Sequence, residues 1–154
     1  MSYTTQDLIA LGNEINTNAS AYYPAGGVAN TANDEANANA INLQRESIAV
    51  KKTSLASSQI AAAISPGDHE ALSTAQARWL KDCVLDVGNI NPSTAENVVS
   101  GIAERLGNTP SGAAIAALFN RPGNRLEQLY QAGVISEVGN FTPSTPSQIR
   151  AALA

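Results

Sequence analysis

The side chains able to do chemistry are few and far apart. There is one histidine, His69, and one cysteine, Cys83. A Cys–His nucleophile pair must meet within hydrogen-bond reach. These two lie 14 positions apart in what reads as one helix, about 20 Å at 1.5 Å rise per residue. A continuous helix therefore excludes the pair. His69 follows Asp68 and reads as a solvated first-turn residue. Cys83 sits in an apolar helical pattern and reads as a buried structural thiol, with an intermolecular or reactive role as the alternative; a lone cysteine forms no intramolecular disulfide. A metal site needs several His, Cys or carboxylate ligands at defined spacing, which one His and one Cys do not supply. Asp34-Glu35 sit near a helix start, where acids complement the macrodipole. Asp82 and Asp86 share a helical face, which reads as solvated. No glycine-rich loop follows a strand and opens a helix, so a phosphate cradle is unsupported. The expectation is a protein that is not an enzyme and takes no cofactor.

Charge narrows the partners. The net charge is −4 and only 14% of residues are charged. Nucleic-acid surfaces cluster Lys and Arg to release counterions from phosphate; here the only adjacent basic pair is Lys51-Lys52. No charged-then-apolar leader or apolar run near 18 residues is present, so neither nucleic acid nor membrane is expected as a partner, and the chain is expected to stay soluble. At 154 residues, with aromatics at 5% and alanine abundant, one domain (1–154) with a core of many thin contacts is expected.

The elements that would position these groups read as mainly α: a compact single-domain bundle of about six to seven short helices, with at most one minimal two-strand pairing. Thr4 and Asp7 start a helix to Asn16, with Leu8, Leu11 and Ile15 at helical spacing. Residues 16–27 form a loop whose Tyr22 and Tyr23 either cover an apolar edge or offer a partner-binding patch. Thr31–Leu43 is a second helix with Ala36, Ala40 and Leu43 inward. Ile48-Ala49-Val50 is extended and is expected to pair with Val134-Ile135. Thr53–Ile64 is a third helix. Asp68–Val87 is the longest, its stripe being Leu72, Ala75, Trp79 and Cys83, widened by Leu80, Val84 and Val87, with Trp79 the largest buried group. Ser93 to Glu96 is a capping box opening a helix to Leu106, and Thr145 opens a last helix with Ile149 and Leu153 inward.

The most fully specified stretch is Thr109–Ala132, which reads as two short helices across a tight turn. Thr109 caps and Pro110 takes the first helical position. Ile115, Leu118 and Phe119 make one apolar face. Arg121-Pro122-Gly123 stops the helix. Asn124 caps the next, with Glu127 as the returning half of a capping box; Leu126, Leu129 and Tyr130 face inward, and Gly133 ends it. One alternative is a small DNA-binding regulator with a helix-turn-helix at residues 110–132, whose Asn124, Arg125 and Gln128 would reach bases. The other is that Arg121 and Arg125 bond helix-end carbonyls or Glu127.

The segment Arg121-Pro122-Gly123-Asn124-Arg125-Leu126-Glu127-Gln128-Leu129-Tyr130 resembles an Arg-x-Gly-Ser-Arg-x-Glu-x-Leu-Phe signature of small helical proteins encoded by tailed bacteriophages, often among their virion structural genes. The opening Tyr3 to Leu8 helix, the aromatic-glycine loop at Tyr22 to Gly27 and the terminal helix near Ala152-Leu153 match loosely. Asn124 stands where that family has Ser, and both cap helices. The resemblance implies a virion component that decorates the capsid or sits at the head–tail junction, made in the host cytoplasm and docking on major capsid or neck and portal-proximal subunits. Tyr22, Tyr23, Arg121 and Arg125 would then belong to the interface, with Asn124, Glu127 and Gly133 as structural caps.

Overall fold

A computed structural model describes residues 3–24 and 26–154; Ala25 of the aromatic-glycine loop lies outside the described residues. The protein is mainly helical, with 59% of residues in helix against 10% in strand. The elements run α1 (Thr5–Thr17), α2 (Ala19–Tyr22), a 3-10 turn (Thr31–Asn33), α3 (Asp34–Asn42), β1 (Arg45–Lys51), β2 (Leu55–Ala56), α4 (Ser57–Ala63), α5 (Pro66–Glu70), α6 (Thr74–Leu80), a π turn (Lys81–Leu85), β3 (Asn89–Ile90), α7 (Glu96–Leu106), α8 (Pro110–Leu118), β4 (Asn120–Gly123), α9 (Arg125–Gln131) and α10 (Thr145–Leu153). The helices outnumber the six to seven expected: α2 lies within the stretch read as a loop, and the expected Asp68–Val87 helix is cut into α5, α6 and a π turn.

The described residues fall into two compact units. The first comprises the residues up to Val50 together with Pro122–Ala154. Its core gathers Leu11 and Ile15 of α1, Tyr23, Ile41 of α3, Leu126 and Leu129 of α9, Phe141 before α10, and Ile149 within α10. α1 and α10 approach closely at Gly12, where a Cβ would come within 2.7 Å of Ile149 and 2.8 Å of Leu153. A larger residue at this position would require the Ile149 and Leu153 side chains to shift.

The second unit is Lys51–Arg121. Its core gathers Leu55, Ile60 of α4, Leu80, Val84, Ile90, Ile102 and Leu106 of α7, and Ile115 and Phe119. β2 pairs antiparallel with β3, Leu55 opposite Ile90 and Ala56 opposite Asn89. At Gly112 a Cβ would strike the Leu106 carbonyl, so α8 starts hard against the end of α7. The remaining sheet pairs β1 with β4.

Several expectations need correction. Val134-Ile135 forms no strand; the partner of β1 is β4, because Asn120–Gly123 is extended. The tight turn between the paired helices is therefore a strand, and the apolar faces of α8 and α9 feed different cores. The expected Thr53 start is four residues early: the helix begins at Ser57, since Leu55 and Ala56 are spent on β2. In α3 the inner stripe is Asn37, Ala38 and Ile41; Leu43 is past the helix end and exposed, and the Asn37 amide is buried with no partner. The long helix is interrupted after Glu70, where Ser73 begins a new capping box with Gln76. Beyond the break the core stripe is Leu80 and Val84, so Cys83 is exposed rather than buried. Trp79 is only half-buried, standing on Gly101 under the Arg105 guanidinium, 3.9 Å from the ring centroid. At α7 the hydroxyl of Ser93 donates to Asn91 instead of capping, and the helix starts from Ala95 without a side-chain cap.

Candidate functional site

The first unit assembles its polar groups on α1. Thr4 and Asp7 form a reciprocal capping box that sets the helix start. The inner face then runs Asp7, Leu11, Glu14 and Ile15, all buried, so two carboxylates stand in an apolar stripe. A buried carboxylate must have its lone pairs satisfied: Asp7 is held by hydrogen bonds from Thr4 and Ser136, and Glu14 is both ion-paired and hydrogen-bonded. Glu14 accepts from Nε of Arg125 and from Nη2 at 3.0 Å, from the Tyr23 hydroxyl at 3.1 Å and from Nδ2 of Asn18 at 2.8 Å. Two-pronged contact with a guanidinium is the strongest pairing a carboxylate has. It holds the Arg125 guanidinium above its usual range against the opposing effect of burial. Burial, then the Glu14 charge and bond, push the Tyr23 hydroxyl far up.

The sequence-derived interface residues are placed as follows. Tyr23 is buried in the core, not on the surface. Tyr22 is half-buried, its ring meeting Tyr23 edge-on at 6.3 Å and lying between two guanidinium groups, Arg45 at 5.2 Å and Arg125 at 5.0 Å, within the range of cation–π attraction. Arg45 also donates to the Ala40 carbonyl at 2.8 Å, closing the end of α3. Arg125 thus joins Tyr22 and Tyr23 in one intramolecular cluster; Arg121 is half-buried in β4. Asn124 accepts from the Glu127 amide at 2.8 Å and Glu127 accepts from the Asn124 amide at 3.2 Å. Gly133 has φ +75°, the left-handed conformation that ends helices at glycine. Tyr130 does not face inward as expected; it is 46% exposed.

The ion pair also lines an open groove of about 380 Å³, together with Ala10, Asn13 and Thr17 of α1, Leu129 and Val134. Both Glu14 oxygens are occupied, so the cluster acts as a fixed brace in the groove wall. Val134 lines it while 48% exposed.

No family model matches the chain, and neither a curated protein nor a solved structure is significantly similar to it.

Reading along the chain missed three further polar anchors. Asp7 accepts from the Ser136 amide at 2.8 Å, the Ser136 hydroxyl at 2.7 Å and the Thr4 amide at 3.0 Å. Burial alone would raise its carboxyl, but these bonds outweigh burial and hold it below the usual range. Asp34, taken as a helix-start acid, receives both prongs of Arg150 at 3.0 and 2.8 Å and is lowered by them. In the second unit the Ser111 hydroxyl and amide bond Asp68 and lower it. The available signal was positional: Asp7 and Glu14 fall on the helical face of Leu11 and Ile15, where an acid without hydrogen-bond partners would be untenable. Among the described residues no group of three or more His, Cys, Asp or Glu is placed to hold a metal, and no helix is long and apolar enough to cross a membrane.

Proposed function

We propose that this chain is a non-enzymatic structural protein of a tailed-bacteriophage particle that docks on capsid or neck subunits. The observation carrying this reading is the braced groove of the first unit. Its lining includes Arg125, which belongs to the Arg121–Tyr130 segment that resembles the phage signature. Val134 lines it, and Tyr130, on the same helix as Arg125, is also exposed. Amphipathic and apolar side chains held outward on a rigid support suit partner recognition, since little side-chain freedom is lost on binding. Four more large apolar side chains stand exposed: Leu43, Val87, Val138 and Leu153.

Quantitative mass spectrometry of purified particles from the phage that encodes the chain tests the reading. The expected result is recovery in a fixed ratio to the major capsid protein. Absence from particles, together with salt-dependent binding of the pure protein to duplex DNA, would favour the regulator reading instead.

A further inference from the structure

The second unit carries a segment that its core barely grips. Among the described residues, no side chain between Ile60 and Leu80 is buried. α5 lies in this stretch with five residues, too few to persist on propensity, and Gly67 within it weakens that propensity further. In residues 65–73 the one apolar side chain packed on the core, among those described, is the half-buried Leu72. Few buried apolar contacts mark a region that opens locally before the whole unfolds.

What fastens the segment is polar and converges on one residue of α8. Ser111 is 2% exposed. Its hydroxyl donates to Asp68 of α5 and accepts from the Ser65 amide at 2.8 Å. Its own amide donates to the same Asp68 carboxylate at 3.1 Å. The contact also completes the start of α8. Pro110 has no amide hydrogen, Gly112 donates to Oγ1 of Thr109 at 3.1 Å, and the Ser111 amide is taken by Asp68 from 43 positions away. A carboxylate is favoured at this end of a helix, and the Ser111 bonds hold the Asp68 carboxyl below its usual range. We propose that residues 65–72 form a latched strap that lifts as one piece when the Asp68–Ser111 contact breaks, while the core of the second unit stays folded. The strap supplies Ser65, Pro66 and His69 to a pocket of about 250 Å³ whose other residues are Ala61, Ile64 and Leu85. Lifting it uncovers Ile64 and Leu85, so one carboxylate controls how much apolar surface this side of the unit presents.

The test is native-state hydrogen exchange of the full chain, read by NMR at about pH 6, where a lowered Asp carboxyl is ionised, over a series of low urea concentrations. The amides of His69, Ala71 and Leu72 bond within the segment, to the Ser65, Gly67 and His69 carbonyls. These three and the Ser111 amide are expected to share one opening constant that urea barely changes, far larger than that of Ile102 and Leu106 in α7. Asp68→Ala should raise the constant for the α5 amides about tenfold or more, as loss of a charge-assisted bond requires. Asp68→Asn, which keeps an acceptor, should raise it less. Glu70→Ala, on the same helix and exposed, should leave it unchanged. Opening of α5 only in step with α7, an opening constant for Ser111 unlike that of α5, or no effect of Asp68→Ala would overturn the proposal.

Discussion

At the scale of single residues, Glu14 and Arg125 carry the most. Glu14 has 6% of its side chain exposed and Arg125 19%, so removing either strands a buried charge. Breaking such a pair costs about 3 kcal/mol or more, largely the desolvation of the abandoned partner. Glu14→Gln is therefore expected to lower unfolding free energy by about 3 kcal/mol in a urea titration. Adding Arg125→Met to it should cost little more, because the stranded guanidinium is gone. A second loss as large as the first would mean the two residues act separately. The acids Asp7, Asp34 and Asp68 give a pH signature. Each carboxyl is lowered in the folded state, so its contribution is complete above about pH 4, the unfolded carboxylate range, and is lost as pH falls through the folded values. Stability measured by denaturant titration should be flat from pH 7 to 5 and drop below about 4. Tyr3 is raised to about 12 by burial and then by Asp7 and Glu137, so a further loss should begin above about pH 10 and run to about 12.

Elements are held by their ends. α9 has seven residues, too short to persist on propensity alone. Its reciprocal Asn124–Glu127 cap, its buried Leu126 and Leu129 and the left-handed Gly133 each support it. Asn124→Ala is expected to cost about 1 kcal/mol, and Asn124→Ser, the residue of the phage signature, to cost almost nothing; thermal unfolding of both variants checks this. Caps of this kind were readable from the sequence because they are local: Thr4 with Asp7, Thr109 with Pro110 and Asn124 with Glu127 need only residues within one turn. The failures came where distant packing decides. Leu55 offered a helix but was taken by Ile90 across a sheet; Ser93 is the exception, taken by its near neighbour Asn91. The stripe of Leu72, Trp79 and Cys83 kept helical spacing over a break and a π turn, either of which changes the phase. Glu14 was passed over because an acid reads as solvent-facing until the arginine 111 positions later is seen to reach it.

For the whole molecule, the division into two units leaves no compositional mark. The first unit is discontinuous, and both passages between units fall within β1 and β4, with no Gly/Ser-rich linker to betray them. Each unit has its own core, small in aromatic area, in keeping with the alanine-rich composition. Exposed large apolar side chains concentrate in the first unit, which holds Leu43, Tyr130, Val134, Val138 and Leu153, against Val87 in the second. On the docking account this unit meets the particle, and a charge placed in its groove should block attachment without unfolding the chain.

The most direct measurement is the copy number per purified particle of Val134→Asp relative to wild type, read by mass spectrometry, with Val87→Asp as an equally exposed control in the second unit. Both variants should melt within a few degrees of wild type, as surface substitutions do. The account predicts that Val134→Asp falls at least tenfold in particles while Val87→Asp is retained. Retention of Val134→Asp at the wild-type ratio, or absence of the wild-type chain from particles, would contradict it.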